Sequence, residues 1–320
     1  MKRTSGIRSS HKGHGSVSPL RQSSRLAKKA RTDFTVFETY IMRKDTDVFL
    51  EKLYKHGFPA MEVRSITGNE LTCELLVETD FRQPIFIPAK DVEGMGLHIP
   101  KNLTVERVIN IVGATRQVPA MDVATQTTKM ISLAEFQVYY DSTPQKRKKM
   151  FGCLNVISLE VSDTILGYSI LAPRAVRQVD WIDLFYKRLD PQNFPRVQKY
   201  CLMSIGGCYT DFHIDFCGTS VWYHIVYGEK WFYLVEPSAK NLKAYEAWTT
   251  SIHQGCTFFP EMLERGECKL FKFGSGDTLM IPSGWIHAVY TPVDSMVIGG
   301  NFLASFAANM QLKIYQIENR

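Results

Sequence analysis

His213, Asp215 and His287 supply two imidazoles and one carboxylate, a donor set suited to a transition metal that keeps several positions open. His213 and Asp215 stand two residues apart in an apolar stretch. Side chains of a strand alternate faces, so both can meet one cation from a single strand while His287 arrives from a distant one. Two histidines and a carboxylate on one face of the metal are the arrangement of non-haem Fe(II) oxygenases. Alone, the tripeptide is a weak signal: with 8 histidines and 32 acidic residues in 320, about 0.8 His-x-Asp/Glu matches arise by chance. Lys230 gives it weight. It follows Asp215 across two apolar runs, Val221 to Tyr227 and Lys230 to Val235, whose separation by Gly228 and Glu229 reads as a hairpin. A lysine returning to a metal pocket costs free energy unless it meets an anion, and a bound dicarboxylate would supply one. Thr210 and Tyr223 add hydroxyls for the same carboxylate.

The residues around these positions carry a likeness. Segments 197–204, 211–224, 284–289 and 299–303 resemble the JmjC-domain histone lysine demethylases, above all the lysine demethylase 7 group that joins a plant homeodomain finger to a JmjC domain. Residues 154–160 resemble that family's first strand. The likeness is specific over the second half and weaker from about Asp45 onward.

The resemblance implies an α+β fold: a double-stranded β-helix, the cupin-like jelly roll, with helical support at both ends. It implies that His213, Asp215 and His287 bind Fe(II), that Lys230 and Thr210 hold the distal carboxylate of 2-oxoglutarate, and that Tyr223 and Asn155 line that pocket. O2 would be the oxidant. Tyr200, Ile157, Gly299, Gly300 and Asn301 would border a methyl-lysine channel. For Gly299 and Gly300 there is also a direct reading, either close approach of a slender substrate or a β-bulge. The implied reaction is removal of mono- and dimethyl marks from histone H3, at lysine 9 or lysine 27, through N-methyl hydroxylation and loss of formaldehyde. A methylated H3 tail would be the partner, the nucleus the location and a monomer the state. A protein hydroxylase on the same fold and a non-catalytic chromatin adaptor are the competing functions. Two departures stand out. Cys217 occupies a position where the family commonly has glycine, and the finger is missing, since no Cys-x-x-Cys pair occurs.

Composition sets the frame. A chain of 320 residues with 45% hydrophobic content can bury a full core. Seven scattered cysteines do not read as a disulfide framework and fit a reducing compartment. No apolar run suits a secretory signal or a membrane span. The net charge of +6 is uneven: the first 32 residues hold nine basic residues and no acid, leaving 29 bases against 32 acids. Residues 1–33 therefore read as a disordered basic tail suited to nuclear import or to DNA phosphates. A second basic run, Lys146 to Lys149, reads as a loop that could touch nucleosomal DNA.

Residues 34–150 read as a mixed support region, 151–309 as the catalytic roll and 310–320 as the start of a C-terminal helix. Helices are expected over 45–54, over 104–112 between a Thr104 cap and Gly113, and from the Ser132–Glu135 capping box. Short strands are expected at 71–76 and 84–88. Eight more follow, at 154–161, 199–204, 221–227, 230–235, 269–273, 278–281, 286–290 and 296–299.

Overall fold

The computed structural model describes residues 46–319. The basic tail of residues 1–33, with its import and DNA readings, lies outside them. Thirteen strands occur among the described residues: β1 Arg64–Ser65, β2 Ile85–Ile87, β3 Gln117–Asp122, β4 Thr127–Ser132, β5 Leu154–Glu160, β6 Tyr200–Ser204, β7 Tyr209–His213, β8 Ser220–Tyr227, β9 Glu229–Val235, β10 Cys268–Gly274, β11 Thr278–Ile281, β12 Ile286–Tyr290 and β13 Ser295–Phe302. They form a nine-stranded sheet in the order β1-β2-β11-β8-β13-β6-β5-β3-β4 and a four-stranded sheet in the order β10-β9-β12-β7. From β6 to β13 the chain passes repeatedly between the two sheets, and all of these strands pair antiparallel. That is the jelly roll the sequence led us to expect, within an α+β fold. No helix among the described residues is long and apolar enough to cross a membrane.

Alternation along the strands builds two apolar layers. Val221, Tyr223 and Ile225 of β8 join Phe232, Leu234 and Val297 in a lining between the sheets. Trp222 of β8, with Ile298 and Phe302 of β13, belongs to the larger core that includes the helices. The period of two on a strand is what lets β8 serve both layers.

The expected hairpin between residues 221 and 235 does not form. β8 lies in the large sheet and β9 in the small one, and Gly228 between them takes φ +92°. A Cβ there would sit 2.4 Å from the Ser295 Cβ and 2.6 Å from the Asp294 carbonyl oxygen. Glycine thus lets the chain slip beneath the loop before β13 and change sheets. The set of eight roll strands also needs correcting. β7 was left out of that set, although the metal reading put His213 on a strand, and β5, which was included, extends the large sheet outside the roll, with β3 and β4 beyond it. The support region and the roll therefore share one sheet.

Local signals explain the helices. Thr104 accepts the Arg107 N–H ahead of Val105–Val112, which stops at Gly113, and Ser132 and Glu135 form the reciprocal capping box that opens Leu133–Tyr140. Residues 73–78 are helix where a strand was expected, because Thr72 accepts the Leu75 N–H and Glu74 sits in the first turn, where the helix dipole favours an acid. The basic run is helical too, over Pro144–Met150, with Thr143 as cap and Pro144 in the first turn, where its missing N–H costs nothing. Arg147 of that helix turns inward to the Tyr139 carbonyl oxygen and to Asp294. The C-terminal helix spans Ala308–Glu318.

Gly299 and Gly300 lie in central strand β13, and its register shift falls between Met296 and Val297, away from them. A Cβ on Gly299 would lie 2.7 Å from the Trp222 carbonyl oxygen, and one on Gly300 1.8 Å from that of Gln198. The space beside both is filled by backbone, so their smallness serves strand packing. Gly300→Ala is expected to destabilise the fold by about 2–3 kcal/mol. A parental midpoint in chemical denaturation would contradict this account.

Candidate active site

The three donors converge at the end of the small sheet. His213 closes β7 and pairs directly with His287 of β12, with ring centroids 4.3 Å apart. Asp215 is not on the strand, as the i, i+2 reading had it. It stands just past the end, where its carbonyl oxygen accepts the Gly218 N–H at 2.9 Å and starts a short turn, Phe216–Gly218. One ligand atom from each residue lies within 4.8 Å of the others, and Asp215 Oδ2 is 3.7 Å from His287 Nε2.

Backbone sets the imidazoles. His213 Nδ1 lies 2.8 Å from the Asp211 carbonyl oxygen and His287 Nδ1 lies 3.0 Å from that of Trp285. A carbonyl only accepts, so each Nδ1 carries the proton and each Nε2 lone pair is left for a metal. Burial and the neighbouring His213 push the His287 pKa down to about 4, which keeps it neutral and able to ligate near pH 7. Asn301 orients the carboxylate, its amide nitrogen lying 3.4 Å from Asp215 Oδ1 and 2.8 Å from Thr219 Oγ1. Two imidazole nitrogens and a carboxylate in this arrangement fit a first-row divalent metal such as Fe(II).

The turn after Asp215 rests on the C-terminal helix. Cys217 takes φ +52°, and its N–H donates to the Glu318 carboxylate at 3.0 and 3.1 Å. A left-handed residue favours glycine, which is a physical reason for glycine at this position.

β7 holds a further device. His287 pairs with His213 and Val289 with Thr210, so two steps on β12 match three on β7. This bulge lets Thr210 and His213 share a face despite their odd spacing. Thr210 leads to Lys230. Lys230 Nζ, buried within the roll, donates to Ser204 Oγ at 2.8 Å and to Thr291 Oγ1 at 2.7 Å. Ser204 donates to Asn155 Oδ1 at 2.7 Å, and Asn155 Nδ2 donates to Thr210 Oγ1 at 3.3 Å. No carboxylate among the described residues pairs with Lys230, and burial lowers its pKa to about 7. Next to it on the same face of β9, Phe232 stacks on His287 at 5.6 Å, and Tyr223 packs edge-on against Phe232 at 5.2 Å. Burial, and then the charge of Asp215, raise the Tyr223 phenol well above its ordinary value.

Sequence reasoning missed Ser204 and Thr291, since an isolated hydroxyl at the end of an apolar run carries no signal. Only the register of Asn155 opposite Ser204 reveals the first of them. Among the remaining positions, half-buried Tyr200 pairs with Glu160 and Gly299 and lies near enough to Asp215 to feel its charge, and its phenol is pushed up to about 12, mostly by burial. Ile157 sits in the β5 stretch where pairing with β6 is interrupted.

A family model described as "JmjC domain, hydroxylase" matches residues 200–302, the span from β6 to β13. The chain belongs to the JmjC-domain proteins. The JmjC domain and its flanks are similar to lysine-specific demethylase 2A of Xenopus tropicalis, 40% identical over 317 residues that cover 94% of this chain and 27% of that protein. They are similar to histone lysine demethylase PHF8 of Danio rerio, 42% identical over 274 residues, 85% of this chain and 26% of that protein. Lysine-specific demethylase 7B of Danio rerio is 40% identical over 279 residues, 86% of this chain and 47% of that protein. The chain thus spans about a quarter to a half of the length of these curated relatives. The likeness reaches a demethylase numbered 2 as well as one numbered 7.

A buried, protonated Lys230 costs the fold stability. An unfolded lysine keeps its proton to about pH 10.4, whereas the folded one releases it near 7. The ligand-free fold therefore gains stability as pH rises from about 7 toward 10, where the unfolded chain binds the extra proton. Lys230→Met, similar in length and uncharged, is expected to raise the unfolding free energy of the ligand-free protein by about 1–3 kcal/mol near pH 7. Denaturation of the two proteins side by side checks this, and a destabilised variant would count against an unpaired buried cation.

Proposed function

We propose that this chain is an Fe(II)- and 2-oxoglutarate-dependent histone lysine demethylase. Its substrates would be mono- and dimethylated lysines of histone H3, at lysine 9 or lysine 27. The observation that carries the reading is Lys230: a buried cation with no carboxylate partner among the described residues, set among hydroxyls on a strand that pairs with the one bearing His287. Such a group holds its charge at neutral pH when an anion lies beside it, and a dicarboxylate with one end on Lys230 would present its other end to the triad.

His213, Asp215 and His287 would hold the iron, which when bound would couple O2 reduction to conversion of 2-oxoglutarate into succinate and CO2. Lys230 fixes the distal carboxylate by charge. Thr210 already accepts from Asn155, so its own hydrogen is left to donate to that carboxylate. Tyr223 and Phe232 form an apolar wall that keeps water from the reacting centre. Asn301 holds Asp215 in place, and Tyr200, Ile157 and Asn301 would border the side from which a methylated lysine enters, with Gly299 and Gly300 packed closely on backbone beside them. Hydroxylation of its N-methyl group gives a carbinolamine that collapses to amine and formaldehyde. A methylated H3 tail is the partner this chemistry calls for, in a protein that acts in the nucleus as a monomer. The named activities of the demethylase relatives support the same reading.

Formaldehyde release from mono-, di- and trimethylated H3 and H4 peptides, with Fe(II), 2-oxoglutarate and ascorbate, tests the function. Release from mono- and dimethylated H3 peptides, lost in His213→Ala, is the expected result. Succinate without formaldehyde from any peptide would point to hydroxylation and overturn the demethylase reading. The pH dependence of co-substrate binding gives a second check. Binding an anion raises the Lys230 pKa from about 7 and so takes up a proton. Affinity for 2-oxoglutarate is therefore greatest below pH 7 and falls, by up to about tenfold per unit, as pH rises above it. Calorimetry at pH 6.5 and 8.5 that returned equal affinities would remove Lys230 from the pocket.

A further inference from the structure

Resting on the metal reading above, we propose that Gln126 is a positioning residue for the iron site, a side chain that stands in for a missing strand. β7, which carries His213, is an edge strand, since in its sheet it pairs with β12 alone. An edge strand presents unpaired N–H and C=O groups. At this edge Gln126 meets them both: its amide nitrogen donates to the Tyr209 carbonyl oxygen at 3.0 Å, and its amide oxygen accepts the Asp211 N–H at 3.0 Å. A primary amide places a donor beside an acceptor, the same pair that a neighbouring strand offers.

The clamped residue is the one that sets the ligand. The Asp211 carbonyl oxygen accepts the Nδ1 proton of His213 and so fixes both the tautomer and the ring orientation. Asp211 is gripped from its side chain as well, where Tyr209 donates its hydroxyl at 2.8 Å. Gln126 is itself anchored from outside the roll. It lies between β3 and β4, its backbone N–H donates to the Asp122 carbonyl oxygen at 2.8 Å, and its amide donates to that of Val123 at 2.8 Å. Its backbone takes φ +56°, a left-handed conformation that costs a side-chain-bearing residue about 1 kcal/mol and that glycine adopts freely. The local backbone favours glycine, whereas the contacts with β7 require the amide.

That conflict separates a positioning role from a merely structural one. Gln126→Gly removes the amide and relieves the left-handed backbone, whereas Gln126→Leu removes the amide and keeps the bulk. Co(II), whose d–d absorption reports its ligand geometry, is the probe, titrated into the full chain without co-substrate or peptide. Both variants are expected to bind Co(II) about tenfold or more weakly than the parent, with altered d–d bands. The parent and Gln126→Gly are expected to melt within a few degrees of each other. Gln126→Glu, which keeps an oxygen for the Asp211 N–H and loses the donor to Tyr209, is expected to fall between. Co(II) affinity within twofold of the parent in Gln126→Gly overturns the proposal. A parent that takes up no Co(II) overturns the metal reading and the proposal together. Because metal uptake is read without turnover, a failure to demethylate peptides leaves this test standing.

Discussion

A lysine ammonium inside an apolar roll is the constraint around which the rest is arranged. Lys230 reaches its place because β9 turns one face inward, and it is tolerated there because Ser204 and Thr291, brought in by β6 and the end of β12, accept its hydrogens. Two neutral hydroxyls accept two of the three donors without neutralising the charge. The protonated lysine is therefore a local electrostatic cost, relieved by loss of its proton or by an anion beside it. Lys230 lies along the same sheet as His287, with Phe232 between them.

His213, Asp215 and His287 show how much of a site lies outside the residues that could ligate a metal. His213 and His287 are oriented by backbone carbonyls, Asp215 is oriented by Asn301, and the turn that carries Asp215 is held by the last helix through Glu318. The β3–β4 loop contributes Gln126 from well before the roll. Three regions far apart in sequence thus converge on a few backbone atoms. The JmjC match covers residues 200–302 only, yet two of these supports lie outside that span.

Much of this was legible in the residues themselves. The ligand types, Lys230 and the strand alternation from Leu154 onward follow from local chemistry and period, and the capping residues name their helices. What escaped depends on pairing between distant strands. The segment 221–235 has every local mark of a hairpin, and only the packing of Gly228 under the loop before β13 shows that its halves belong to different sheets. The bounds of β7 were hidden, since it ends at His213 before Asp215 and a strand bulge breaks its period of two. The helix at 73–78 was misread because a short apolar run carries no period long enough to separate helix from strand, and its Thr72 cap decided the outcome.

The passage of the chain between sheets has a consequence for how this protein comes into being. β6 and β8 each pair with β13, and β7 pairs with β12, so most strands of the roll wait for a neighbour made much later. As the chain leaves the ribosome, the strand bearing Lys230 has no native partner until residues 268–274 follow, and the one bearing His213 has none until residues 286–290. Folds dominated by such distant contacts assemble slowly and expose edges that invite association with other chains. The pocket and the barrel are thus completed in one late event, and a ribosome that stalls before β12 releases a chain with neither.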